Sequence, residues 1–243
     1  MMTELLYYQD AYLKEFDATV TAIDSENHAV VLDRTAFYPG GGGQPSDAGV
    51  LVAGAAIYPV GRAQKIDGEI VHYLEGEESL PKVGTAVHGT LDWERRYRLM
   101  RTHTAMHILC GVVWRNYSAH ATGSNMDPLK GRLDFEFETL EADLVTEIEE
   151  KLNDEVAAAR EVRNDILPRD EAFQIPDLIR TKINLLPEGI TEVRITDIVG
   201  LDLQADGGTH VRNTAEVGPV RITDYKSKGK INKRLYIELA EEW

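Results

Sequence analysis

A single cysteine, Cys110, is all the thiol in a chain of 243 residues. That excludes an internal disulfide framework and fits a reducing compartment. Aromatic residues are sparse at 7%, and no apolar run approaches the roughly 20 residues that a membrane helix needs. The opening Met1-Met2-Thr3-Glu4-Leu5-Leu6 lacks the basic stretch and long apolar core of a secretory signal. No membrane partner is expected, and the cytoplasm is the expected location. Repeats, heptads and low-complexity tracts are missing too, one glycine run excepted.

Positive charge is also short. The chain carries 26 Lys and Arg against 41 Asp and Glu, a net charge of −15, which at first argues against a polyanionic partner. The distribution softens that objection. Residues 1–90 hold 5 basic and 13 acidic groups, residues 91–134 hold 7 and 4, residues 135–200 hold 7 and 17, and residues 201–243 hold 7 and 7. Acid is therefore concentrated away from the segments that carry the histidines discussed below. Within the last block, Arg221, Lys226, Lys228, Lys230, Lys233 and Arg234 face only Asp224.

What remains is ordinary globular material, 43% hydrophobic and 28% charged, enough for one large domain or two modest ones. Residues 16–34 alternate and are rich in β-branched side chains around a polar turn at Asp24–Asn27, which predicts a hairpin. Four successive glycines, Gly40 to Gly43, follow Phe37-Tyr38-Pro39 and precede Gln44-Pro45-Ser46-Asp47. Their backbone entropy excludes a helix or strand interior and predicts a loop whose main chain approaches something closely. Short apolar runs through residues 49–91 complete a small antiparallel β domain or barrel, with a boundary near residue 91. From Trp93 to about Tyr117 the period becomes helical, and Arg95, Arg96, Arg98 and Arg101 crowd its first turns against the macrodipole. A strand is expected at 131–137 and an acidic amphipathic helix at 140–161. Further strands are expected around 161–166, 192–198, 221–224 and 234–239.

Chemistry enters with His103 and His107. Four residues apart on a helix, they lie about 6 Å apart on one face, close enough to share a metal ion if other segments complete the shell. Thr104 stands where a zinc peptidase would carry its glutamate, so that pattern is excluded. Asp206-Gly207-Gly208-Thr209-His210 offers the completion, since the glycines allow a sharp turn that brings Asp206 and His210 to a common point. Two arrangements are open: three histidines with a carboxylate, or three histidines with a position left for water or substrate. Cys110, flanked by Ile108, Leu109 and Val112, reads as a core thiol.

The set Phe37-Tyr38-Pro39, Gly41-Gly42-Gly43-Gln44-Pro45-Ser46-Asp47, His103-x-x-x-His107 and Gln204-Ala205-Asp206-Gly207-Gly208-Thr209-His210-Val211 resembles the editing domain of alanyl-tRNA synthetase. More specifically it resembles the freestanding AlaX trans-editing proteins, over roughly residues 10–240. The resemblance implies an α+β fold: a small β-barrel-like domain over 1–90 with the glycine-rich loop, then a mixed α/β editing domain over 91–243 of the threonyl/alanyl-tRNA synthetase type. It implies Zn2+ held by His103, His107 and His210. The family usually has cysteine where this chain has Asp206; a carboxylate there is a harder ligand and makes the ion a stronger Lewis acid.

The implied activity is ATP-independent hydrolysis of the ester on tRNA(Ala) wrongly carrying serine or glycine. An alanine pocket discriminates against these by only ~1–3 kcal/mol, so a second hydrolytic site is needed. No Ser-His-Asp or Cys-His arrangement is evident, which favours direct attack by water. By the same resemblance Thr35, Gly41, Gly42, Gly43 and Gln44 recognise the substrate, and Arg101, beside the helix motif, binds it as a phosphate contact. Lys226, Lys228, Lys230 and Arg234 contact tRNA, and no obligate protein partner is evident. Three rivals stand beside this reading: threonyl-type editing of Ser-tRNA(Thr), an inactive tRNA-binding module, and a metallohydrolase of small esters.

Overall fold

The computed structural model describes residues 2–179 and 189–242. The chain divides into two compact units, Met1–Arg98 and Leu99–Trp243, and each is α+β or β as its sequence pattern dictates.

The first unit begins with β1 (Glu4–Leu5) and the one-turn helix α1 (Leu6–Gln9). It continues through β2 (Glu15–Asp24), β3 (Ala29–Leu32), β4 (Arg34–Thr35), β5 (Gly49–Ala53), β6 (Ala56–Ile66), β7 (Glu69–Leu74) and β8 (Ala86–Leu91). Six of these strands close a barrel in the order β2-β3-β7-β6-β5-β8, while β1 and β4 form a separate parallel pair. The hairpin expected at 16–34 is β2–β3. Its turn is set by Asp24, whose carboxylate accepts the Glu26 and Asn27 amides, each at 3.1 Å. Alternate residues point inward, so Phe16, Val20, Val30, Leu32, Leu51, Val60, Ile70 and Val87 fill the barrel with Phe37.

The glycine-rich segment is a built loop. All four glycines have positive φ, from 59° at Gly42 to 137° at Gly41, a region open to glycine at no steric cost. Gly41 and Gln44 exchange backbone bonds of 3.0 and 2.9 Å, closing the tip. At the base, Asp47 accepts the Tyr38 amide at 2.6 Å and its own amide donates to the Tyr38 carbonyl at 3.0 Å. Arg96, fully buried, bonds both Asp47 carboxylate oxygens and the carbonyls of Ala11 and Ala36.

Helix α2 (Trp93–Tyr117) crosses the division between the units and has the bounds its periodicity predicts. The second unit goes on through β9 (Ala121–Asp127), β10 (Lys130–Glu136), α3 (Ala142–Ala157), β11 (Val162–Pro168), α4 (Arg169–Ala172), β12 (Glu192–Ile198), β13 (Asp202–Ala205), β14 (Val220–Ser227) and β15 (Asn232–Leu239). Two sheets result, β14-β15-β10-β9 and β11-β12-β13. Helix α3 buries Val145, Ile148, Leu152 and Val156, the apolar stripe of an otherwise acidic helix. No helix among the described residues is long and apolar enough to cross a membrane.

Breaking a buried ion pair by removing one partner strands the other charge away from water. Asp47→Ala is expected to destabilise the first unit by about 3–5 kcal/mol, read as a shift of the denaturant midpoint. A shift no larger than that of an exposed Asp17→Ala control would contradict this account of the loop's anchorage.

Candidate metal centre

The centre is built from one helix and one turn of the second unit. Along α2, residues 99–113 are buried without interruption, so its polar side chains must find partners inside the fold. His103 and His107 lie on one face, ring centroids 5.0 Å apart. After β12 and β13 the chain reaches Asp206-Gly207-Gly208-Thr209-His210. The Asp206 amide donates to the Arg194 carbonyl at 3.0 Å, and the Asp206 carboxylate accepts the Gly208 amide at 2.7 Å, which bends the chain back. His210 then stands with its ring centroid 4.2 Å from that of His103 and 4.7 Å from that of His107. One candidate ligand atom from each of His103, His107, Asp206 and His210 falls within 4.8 Å of the others.

Two pairs show the scale of the site. His103 Nε2 is 3.6 Å from Asp206 Oδ1, and His210 Nε2 is 2.9 Å from Asp206 Oδ2. Ligands about 2.0–2.1 Å from a tetrahedral zinc stand about 3.4 Å from one another, so the cluster has the right size and donor chemistry for such an ion.

Electrostatics favour the ligand forms of three donors. Burial pushes His103 well below the usual imidazole range, offset only in part by Asp206. Burial likewise takes His210 down to about 4. Both rings are therefore neutral near pH 7, with lone pairs available. Burial alone would raise Asp206, but the surrounding imidazoles, His103 first, hold it well below the usual carboxylate range. His107 goes the other way: burial opposes its charge, yet the carboxylates of Asp202 and Asp206 outweigh that and raise it.

Three further side chains frame the cluster, and none is flagged as a site residue by sequence spacing. Arg194 Nη1 donates to the Asp206 and Gly208 carbonyls at 3.2 and 2.8 Å, tying the turn to β12. Thr104 Oγ1 lies 3.1 Å from His210 Nδ1 and accepts the Val211 amide at 3.2 Å. Asp202 Oδ2 lies 3.4 Å from His107 Nδ1. An arginine set between Val193 and Ile195 in an expected strand was the one signal available in advance.

The other sequence-predicted residues are placed as follows. Thr35, Gly41, Gly42, Gly43 and Gln44 belong to the first unit. Thr35 is fully buried; its hydroxyl lies 2.8 Å from His72 Nε2 and accepts the Phe37 amide at 3.1 Å. Arg101, expected at phosphate, is 2% exposed and bonds the carbonyls of Val217, Ala240 and Glu241. These bonds make it a clamp on the C-terminal segment. On the β14–β15 hairpin, Arg234 pairs with Asp134 at 2.6 and 2.8 Å and Lys226 with Asp224 at 2.8 Å. Lys228 and Lys230 are exposed at its tip.

Comparisons with known proteins find relatives along nearly the whole chain. Residues 3–95 match the family profile described as tRNA synthetases class II (A), and residues 193–236 match the threonyl and alanyl tRNA synthetase second additional domain. The chain is 40% identical to the alanyl-tRNA editing protein AlaX-M of Methanosarcina mazei, covering 99% of this chain and 98% of that protein. It is 41% identical to AlaX-M of Saccharolobus solfataricus, over 97% and 98% of the two chains. The alanine–tRNA ligase of Pyrococcus furiosus is 41% identical over 90% of this chain, which spans 24% of that longer protein.

Protons and a metal ion compete for the same imidazole lone pairs. Because the carboxylates of Asp202 and Asp206 let His107 hold its proton to higher pH than a free histidine, metal retention is expected to fall on acidification from a higher pH than ordinary imidazole ligands would give. Chelator competition followed from about pH 8 to about 5.5 measures it; retention independent of pH across that range would contradict the raised His107.

Proposed function

The chain belongs to the AlaX family of alanyl-tRNA editing proteins, and from that membership we propose that it hydrolyses, in trans, the ester linking a wrong amino acid to tRNA(Ala). Serine is the proposed misacylating residue, with glycine as a second, and zinc the proposed ion. The observation that carries the reading is the convergence of His103, His107, Asp206 and His210 in a chain aligned over nearly its whole length with editing proteins.

Zinc bound by these four residues, or by the three histidines alone, would supply Lewis-acid polarisation of the ester carbonyl. The chain's own groups do the rest. His103 and His210, kept neutral by burial, present lone pairs, and Asp206 remains anionic beside them. Thr104 and Arg194 hold the His210 ring and the Asp206 turn in register. A carboxylate in place of a thiolate would donate less electron density and leave more positive charge on a bound ion, which would sharpen its pull on a carbonyl oxygen.

Substrate recognition is assigned in the same proposal to Thr35 and to Gly41, Gly42, Gly43 and Gln44. Support comes from a loop whose four positive-φ glycines carry no side chains to block an approaching ligand. Lys226, Lys228, Lys230 and Arg234 are the proposed tRNA contacts, a basic strip on the β14–β15 hairpin of an acidic protein. The cytoplasm is the proposed location, where charged tRNA is met and a lone buried thiol stays reduced.

The test is deacylation of Ser-tRNA(Ala), Gly-tRNA(Ala), Ala-tRNA(Ala) and Ser-tRNA(Thr) by the purified protein, with and without chelator. Fast release of serine from tRNA(Ala) alone, abolished by chelator and restored by zinc, is expected. His103→Ala/His107→Ala should lower the rate by more than ~100-fold, since losing ligands costs more than losing their outer partners. Preference for Ser-tRNA(Thr) would reassign the substrate. Tight tRNA binding with no turnover would make the protein a binding module.

A further inference from the structure

Helix α2 carries a glycine, Gly111, one turn after His107 and on the same face. A methyl group there would come within 2.9 Å of both Asp202 Cβ and Leu201 Cγ, closer than carbon atoms approach. The missing side chain is thus what admits the start of β13 against the helix. The turn before it is tight: β12 and β13 pair from Ile198 and Asp202, with Gly200 at φ 76° between them. Gln204, two residues on and so on the same side of the strand, donates to Asp202 Oδ2 at 2.6 Å and fixes the carboxylate's direction.

That direction is toward His107. Asp202 is 3% exposed, and its Oδ2 lies 3.4 Å from His107 Nδ1. This nitrogen is buried and makes no hydrogen bond of its own, an arrangement that is unfavourable for a polar atom away from water. By contrast His210 Nδ1 already has the Thr104 hydroxyl behind it.

We propose that Asp202, admitted by Gly111, is a positioning residue of the centre: it accepts a hydrogen bond from the Nδ1–H of His107 and so commits that ring's Nε2 lone pair to the cation. A neutral imidazole has one N–H and one lone pair. Placing the proton at Nδ1 places the lone pair at Nε2, and a carboxylate behind a ligating histidine both orients the ring and makes it a better donor. Asp202 acts only through His107.

This rests on the metal reading given above, and the test separates the two. Zinc affinity of the full chain is measured by competition with a chromophoric chelator, for wild type, Asp202→Asn, Asp202→Ala and His107→Ala, and for the double variant His107→Ala/Asp202→Ala. Asp202→Ala should weaken zinc binding about 10–100-fold. Asp202→Asn, whose carbonyl still accepts, should lose only a few-fold. In the His107→Ala background the second substitution should add nothing. Independently of any variant's folding, 15N spectra of the zinc-loaded wild type should show His107 protonated at Nδ1. Unchanged affinity in Asp202→Ala, an equal loss in the His107→Ala background, or a proton at Nε2 would overturn the proposal while leaving the centre standing. A wild type that takes up no zinc would overturn the metal reading and this inference with it.

Discussion

The second unit depends on the burial of polar side chains along one helix. Between residues 99 and 113, α2 carries Arg101, Thr102, His103, Thr104 and His107, all withdrawn from water. A buried polar group without a partner costs about 1–3 kcal/mol, so segments far along the chain must come to the helix. Leu129 brings its amide to Thr102, Val211 brings its amide to Thr104, and Val217 and Ala240 bring carbonyls to Arg101. The Asp206–His210 turn meets the remaining face. The candidate centre is therefore part of how this unit satisfies its core.

The same logic appears on a smaller scale in the first unit. Arg96 and Asp47 are both fully buried, and together they account for loop amides and carbonyls that would otherwise lack partners. Arginines at the start of α2 run against the macrodipole, at a cost of a few tenths of a kcal/mol to about 1 kcal/mol each. Arg96 and Arg101 each make several bonds to buried acceptors, worth more than that. The crowding of positive charge is thus explained by what those guanidinium groups reach, on a protein that is otherwise strongly acidic.

Regular elements were legible where their period was clean. Helix α2 shows its length in its sequence, and α3 its apolar stripe; β2 and β3 show theirs in β-branched alternation around Asp24. Strand β9, Ala121–Asp127, was not legible, because Ala-Thr-Gly-Ser-Asn-Met-Asp has no alternation and takes its place only by pairing with β10. Strand β13 is four residues long and exists because β12 templates it. The glycine run announced a loop, but nothing local indicated that Asp47 would find Arg96 forty-nine residues on.

For the centre, the amino-acid sequence by itself determined the donor types and their local spacing: His103 and His107 one helical turn apart, and Asp206 and His210 across two glycines. Such spacings follow from backbone geometry and need no knowledge of the rest of the chain. Only the tertiary structure decided that the two sets meet, that Arg101 turns to the C-terminal carbonyls, and that Arg194, Thr104 and Asp202 stand behind the ligands. Those outcomes depend on contacts between residues up to 140 positions apart, set by packing and by the matching of buried polar groups, and no local pattern encodes them.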